Sequence, residues 1–188
     1  MLCLYELDVV NPDFGEGGRL FFAVVPDFDA AAKIYRVAGI LKQAHRFDGT
    51  LIPSECLHVS LRFLGRGSEQ VVRSACEAVA GVKMAPFEVS FDRTASFRGK
   101  PGNHPFVLVG GDTLDRLKSL GHALDAAIAE KGMGRRARRD FVPHVTLLYG
   151  DRAVDECPIA PIRWTVNEFV LIHSLNGHAH LARWRFDV

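Results

Sequence analysis

The sequence lacks the features that mark several common classes of protein. Its four cysteines are scattered and form no C-x-x-C pair, which argues against a zinc or disulfide framework and favours reduced thiols. It contains no G-x-S-x-G motif, Walker loop or dinucleotide-binding fingerprint. No apolar run approaches the ~18 residues that suggest a membrane span, and the beginning of the chain lacks the basic and apolar segments of a signal peptide. We therefore expect a cytoplasmic protein with no membrane contact.

An excess of charge of one sign is also missing. Lysine and arginine number 23 against 22 acidic residues, so the formal net charge is +1 and no global field would attract the protein to nucleic acid. A chain of 188 residues that is 48% hydrophobic can bury a core as one domain. We expect a monomer, with a loose lead-in over residues 1–18 and a single bilobal domain over residues 19–188.

The informative feature is a repeated motif. "CLHVSLRFLG" contains His58 and "FVPHVTLLYG" contains His144, which follows by 86 residues (144 − 58). Both read His, aliphatic, hydroxyl residue, Leu, and both end on Gly. Each motif comes after a short apolar run and a helical pattern, so the repetition covers strand–helix–strand units of about 19–65 and 104–150.

The remaining segments complete an α+β pattern. "FEVSFDRTASF" and "WTVNEFVLIHSL" are typical of strands, and Asn176-Gly177 between two apolar-patterned runs is a strong hairpin signal. We expect a pseudo-two-fold, bilobal fold in which two antiparallel sheets face a central groove and the helices lie outside.

The duplicated residues suit phosphoryl chemistry without a metal or cofactor. In a strand, His58 and Ser60 share one face, as do His144 and Thr146. A neutral histidine can accept a proton while a protonated one donates a proton, and hydroxyl groups can hold phosphoryl oxygens. A lone histidine in an apolar strand is usually structural, but a structural repeat has no need to keep both residue types.

Other residues favour a site less strongly. Arg62 shares strand parity with His58, so it either reaches a phosphate or is solvated or ion-paired. Phe22 either stacks on a base or, the better prediction, packs in the core. His178 and His180 could in principle ligate a metal, but no third ligand is evident, and we expect them on a hairpin face.

With these motifs the chain resembles the two-histidine (2H) phosphoesterases, and within them the bacterial 2′-5′ RNA ligase, or RNA 2′,3′-cyclic phosphodiesterase, family. The resemblance extends from Arg19 to the end and includes Phe141 and Pro143 before the second motif. It implies metal-free hydrolysis of 2′,3′-cyclic phosphate ends to 2′-phosphates. In that reaction His58 is the proton donor, His144 is the proton acceptor, and Ser60 and Thr146 hold the phosphate.

The chain departs from the family where the substrate's base is contacted. Many members carry an Arg after the second motif, whereas Leu148 and Tyr149 stand here, and Tyr149 could instead stack on a base. The expected partners are RNA with a 2′,3′-cyclic phosphate end and small cyclic nucleotides. Two alternatives stay open: 2′-5′ RNA ligation, and a non-catalytic nucleotide- or RNA-binding module. The basic stretch "KGMGRRARRD" is predicted to hold upstream phosphates at the rim of the groove, unless it is only a solvated loop.

Overall fold

A computed structural model of the chain describes residues 6–7, 18–133 and 141–187. It contains three α-helices and nine β-strands within those ranges. The helices are α1 (Phe28–His45), α2 (Glu69–Val79) and α3 (Asp115–Glu130). The strands are β1 (Glu6–Leu7), β2 (Arg19–Val24), β3 (Val59–Arg66), β4 (Phe87–Ser96), β5 (His104–Val109), β6 (Val145–Gly150), β7 (Cys157–Val166), β8 (Glu168–Ser174) and β9 (His178–Arg185).

The strands form two antiparallel sheets, which confirms the predicted α+β class. The first sheet has the order β1-β9-β8-β2-β3 and the second has the order β6-β5-β4-β7. In each sheet the strand that begins directly after a motif histidine, β3 or β6, lies at one edge, beside the first strand of its own unit. The two-residue β1 lies inside residues 1–18, for which the sequence predicted only a loose lead-in, and it pairs with β9.

Local sequence explains where the helices begin. The Asp27 carboxylate accepts a hydrogen bond from the Ala30 amide at 2.8 Å, and the Ser68 hydroxyl accepts one from the Val71 amide at 3.2 Å. Each bond satisfies a donor that the first turn of a helix leaves unpaired. The hairpin predicted at Asn176-Gly177 joins β8 to β9, and Gly177 has a φ of 115°, which a glycine adopts without steric cost.

The helices connect the two halves of the molecule. Helix α1, from the first unit, lies close to β6 and β7 of the second sheet, whereas α3, from the second unit, lies close to β3 of the first. Phe22 and Phe106 occupy corresponding positions in β2 and β5, and both are fully buried in one continuous apolar core. The packing of α1 against the second sheet and of α3 against the first fixes the position of one sheet relative to the other. No helix in the described part of the chain is long and apolar enough to cross a membrane.

Candidate active site

The two histidine motifs lie on edge strands of different sheets, and these strands, β3 and β6, are close to each other. The segment that connects α1 to β3 runs along β6, where the Ile52 amide donates a hydrogen bond to the Leu147 carbonyl at 2.8 Å. Leu51 forms an isolated bridge with Leu148 in the same region. The loop that leads into the first motif is therefore hydrogen-bonded to the strand that carries the second.

A β-bulge occurs at the same place in both motif strands. In β3, Ser60 pairs with Ala23 and Arg62 with Phe22, so one extra residue lies between these two pairs. In β6, Thr146 pairs with Val107 and Leu148 with Phe106, which again leaves one extra residue. A bulge shifts the alternation of side chains by one residue. Beyond it, Phe63 and Tyr149 face the space between the sheets, and both rings are largely exposed, at 59% and 48%.

The motifs line one cavity of about 530 Å³. Its walls bring together both histidines, both hydroxyl residues and both exposed aromatic rings. They are formed by Arg19, Phe21, Ile52, Pro53, Cys56, His58, Ser60, Phe63, His144, Thr146, Tyr149, Ser174, Gly177 and His178. Four of the predicted site residues (His58, Ser60, His144 and Thr146) thus meet in one place, and Tyr149 joins them.

The two imidazoles are held by the same local geometry. Nδ1 of His58 lies 2.8 Å from the Cys56 carbonyl, and Nδ1 of His144 lies 2.8 Å from the Val142 carbonyl. A carbonyl can only accept, so each Nδ1 carries the proton and donates it. In the neutral form of either ring, Nε2 is then the basic nitrogen. Nε2 of His58 is 3.0 Å from the Ser60 hydroxyl, whereas within the described residues no such bond joins His144 to Thr146.

Burial favours the neutral form of both histidines. It lowers the pKa of His58 below the usual 6.5; the hydrogen bond to the Cys56 carbonyl opposes this, and charge on His144 and His180 lowers the pKa further. Burial likewise lowers the pKa of His144, against the opposing bond to the Val142 carbonyl. A negatively charged phosphate in the cavity would favour the protonated forms. The pair is thus able to take up a proton when an anion binds.

Two aromatic neighbours of His58 in the cavity wall were not predicted as site residues. The ring of His178 lies 4.8 Å from that of His58 and 5.7 Å from that of Phe21, measured between centroids. Burial, with charge on His58 and His180, lowers the pKa of His178 to about 4. Asn176-Gly177 predicted the turn before His178, but it did not predict that His178 would pack against His58. Phe21, rather than Phe22, lies beside His58, with their rings 5.0 Å apart.

The structure corrects two predicted contacts. Arg62 does not line the cavity; its guanidinium forms an ion pair with Asp125 of α3 at 2.9 Å, on the opposite side of β3. The extra residue in the bulge breaks the parity that the sequence argument assumed. Phe22 is fully buried, 5.9 Å from Phe169 and 5.6 Å from Trp184 between ring centroids, so it cannot stack on a substrate's base. Core packing is also the better prediction for Phe22 from the sequence.

The predicted phosphate-holding stretch lies mostly outside the described residues. Lys131 is exposed at the end of α3, but residues 134–140, with the four arginines of the prediction, are not described. In the described part of the chain, no three histidine, cysteine or acidic side chains are grouped so that they could hold a metal ion.

Comparisons with known proteins identify the family of the chain. The profile of the 2′-5′ RNA ligase superfamily matches residues 26–178. A protein of Archaeoglobus fulgidus named RNA 2′,3′-cyclic phosphodiesterase is 31% identical over 130 residues, which cover 69% of this chain and 70% of that protein.

Solved structures show the same fold. Escherichia coli LigT complexed with 3′-AMP matches with a TM-score of 0.72 at 24% identity, over 90% of this chain and 98% of that one. The protein TT0787 of Thermus thermophilus matches with a TM-score of 0.69 at 19% identity, over 89% and 97%. The chain therefore belongs to the 2′-5′ RNA ligase superfamily, whose members are 2H phosphoesterases.

Proposed function

We propose that the protein is an RNA 2′,3′-cyclic phosphodiesterase that opens cyclic phosphate ends to 2′-phosphates. The observation that carries this proposal is the duplicated imidazole geometry. Two histidines in one cavity each have Nδ1 tied to a carbonyl, which leaves Nε2 to exchange protons with a substrate. The name of the A. fulgidus relative agrees with this activity.

The proposed reaction is an in-line displacement at phosphorus. Nε2 of His144 takes a proton from a water molecule whose oxygen attacks the phosphorus. The bond from phosphorus to the 3′-oxygen breaks, and protonated His58 delivers its Nε2 proton to that oxygen. The product keeps the phosphate on the 2′-oxygen. Each turnover exchanges the protonation states of the two histidines, and the reverse proton movement through solvent restores them.

The two hydroxyl groups are suited to hold the phosphoryl oxygens. Ser60 and Thr146 line the cavity beside the histidines, at equivalent positions of the two motifs. Hydrogen-bond donors aimed at oxygens that gain charge stabilise the transition state more than the ground state. Phe63 and Tyr149 provide exposed rings on which bases can stack.

Product analysis tests the activity. The protein is incubated with a 2′,3′-cyclic mononucleotide and with an RNA that bears a cyclic end, in excess chelator, and the products are identified. We expect 2′-phosphates from both substrates. A 3′-phosphate product would contradict the regiochemistry, and binding without turnover would favour the non-catalytic RNA-binding module. Loss of activity in chelator, restored by zinc or manganese, would contradict the metal-free mechanism.

The assignment of acid and base has its own test. If the bridging 3′-oxygen of the cyclic substrate is replaced by sulfur, the leaving thiolate no longer needs a proton. Under the proposed order, this substrate restores turnover to His58→Ala but not to His144→Ala. Rescue of His144→Ala alone would reverse the two roles.

The second candidate is 2′-5′ RNA ligation, in which an RNA 5′-hydroxyl takes the place of water. The exposed rings of Phe63 and Tyr149, one from each motif, favour it because they offer a stacking surface on each side of the cavity. Adding an RNA with a 5′-hydroxyl to the cyclic-ended RNA and looking for a 2′-5′ linkage distinguishes the two directions. A monomeric state and a cytoplasmic location remain predictions of the sequence.

A further inference from the structure

Three polar side chains form a row at one end of the cavity, next to the reacting groups. Arg19 of β2 pairs directly with Ser174 of β8, and Ser174 pairs directly with His178 of β9. All three residues line the cavity. Residues directly opposite each other in antiparallel strands project from the same face of the sheet. We propose that this row is a second phosphate subsite, which binds a phosphate group other than the one that reacts.

Two glycines fix the ends of this row. Gly18 precedes Arg19, and a β-carbon there would overlap the buried ring of His173. Gly177 precedes His178 and has a φ of 115°, a conformation that side chains rarely adopt. The two glycines therefore fix the backbone positions of Arg19 and His178.

The donors in the row match the chemistry of a phosphate. A guanidinium presents a fork of N–H groups that fits phosphate oxygens, and a hydroxyl adds a further donor. The groups that face His178 include His58 and His180, and with burial they keep its imidazole neutral in the absence of an anion. A neutral imidazole still donates one N–H bond, and a bound anion favours the protonated form, which donates two.

In the part of the chain that the structure describes, the other half of the cavity shows no counterpart of this row. Among the described lining residues, the second unit contributes only His144, Thr146 and Tyr149, none of which carries a permanent positive charge. A substrate with two phosphates would bind this row with its second phosphate towards the first sheet.

The ligand chemistry follows from the proposed function, on which this inference rests. In a nucleoside with a 2′,3′-cyclic phosphate, the position available for a second phosphate is the 5′-oxygen. That group is a phosphodiester in an RNA chain and a phosphomonoester in a free nucleotide. We expect both to bind the subsite, because its donors contact non-bridging oxygens that the two groups share.

Binding measurements isolate the subsite from turnover. The affinity of adenosine 2′,5′-bisphosphate is compared with that of adenosine 2′-monophosphate at fixed salt, for wild-type protein and for Arg19→Gln. We expect the wild type to prefer the bisphosphate. Arg19→Gln should reduce that preference by about ten- to a hundredfold, the range typical of a charged hydrogen bond. Ser174→Ala should reduce it less, since its contact is neutral.

Arg73→Gln is the matched control, because it removes one guanidinium from the exposed face of α2, where Arg73 pairs with Glu69. It should keep the preference. An equal loss in Arg73→Gln and Arg19→Gln, or no preference in the wild type, would overturn the subsite.

Kinetics distinguish the two sources of the second phosphate, a phosphodiester in an RNA chain and a 5′-phosphomonoester in a free nucleotide. The substrates are 2′,3′-cyclic AMP, its 5′-phosphorylated form and a cyclic-ended dinucleotide. Failure of all three to turn over would contradict the proposed function, while the binding comparison would still decide the subsite.

Discussion

The two motif strands have nearly the same geometry but different surroundings. Both histidines have Nδ1 held by the carbonyl two residues earlier, and both strands bulge after the hydroxyl residue. Around His58, however, the Ser60 hydroxyl, the ring of Phe21 and the ring of His178 are all in contact. His144 instead packs edge-on against Phe97, with ring centroids 4.8 Å apart. Duplication thus provides two similarly held imidazoles, and contacts from β2, β3 and the β8–β9 hairpin make their surroundings different.

Removing either histidine tests the part of the site that is the same in both motifs. His58→Ala and His144→Ala should each reduce kcat for a 2′,3′-cyclic mononucleotide by about 10²–10⁴-fold, the usual contribution of one general acid or base. His122→Ala, at an exposed position of α3, is the control and should keep full activity. Near-wild-type turnover in either site variant would mean that the duplicated histidines do not act as a pair.

Removing the hydroxyl groups tests where the two motifs differ. Ser60→Ala and Thr146→Val should each reduce kcat by the equivalent of about 2.7–4 kcal/mol, the typical effect of losing a donor to a reacting oxygen. Only Ser60 is hydrogen-bonded to its histidine, so only Ser60→Ala should also move a limb of the pH–rate profile. Identical profiles for the two variants would show that this bond does not influence the protonation of His58.

The exposed rings should give smaller effects. Phe63→Ser and Tyr149→Ser should each raise KM for a cyclic-ended RNA oligomer by the equivalent of about 1–3 kcal/mol, the usual contribution of one stacked base. Ile40→Ser, at a position of α1 that is 61% exposed and outside the cavity, should leave KM unchanged. An effect of Tyr149→Ser alone would restrict base binding to the second unit.

The smallest expected effect is a displacement of the pH optimum. The pKa values of both histidines are lowered in the free protein, so the bell-shaped profile of kcat/KM should be centred below about 6.5. Activity then falls at higher pH as the acid loses its proton, and at lower pH as the base gains one. The profile of kcat should lie at higher pH, because the bound phosphate raises both pKa values. A kcat/KM profile centred above 6.5 would contradict the burial argument.

The sequence by itself determined the features that depend on local pattern. Apolar periodicity predicted the α+β class and Asn176-Gly177 predicted the last hairpin, and both agree with the structure. The spacing of the two motifs predicted two duplicated units. Because both motifs contain a histidine and a hydroxyl residue, the sequence also indicated that these four side chains would lie in one site. These inferences are reliable because each depends on neighbours within one element or on a repeated arrangement of elements.

Only the tertiary structure decided which neighbouring side chains complete the site. Strand parity placed Arg62 towards the cavity, but an extra residue in β3 turns it towards Asp125 and turns Phe63 inwards. A bulge is a property of the pairing between two strands, so the alternation within one strand does not reveal it. His178 lies 120 positions after His58 (178 − 58) and reaches it only because β9, β8, β2 and β3 are adjacent in one sheet. Contacts of that kind depend on sheet order, which local periodicity does not specify.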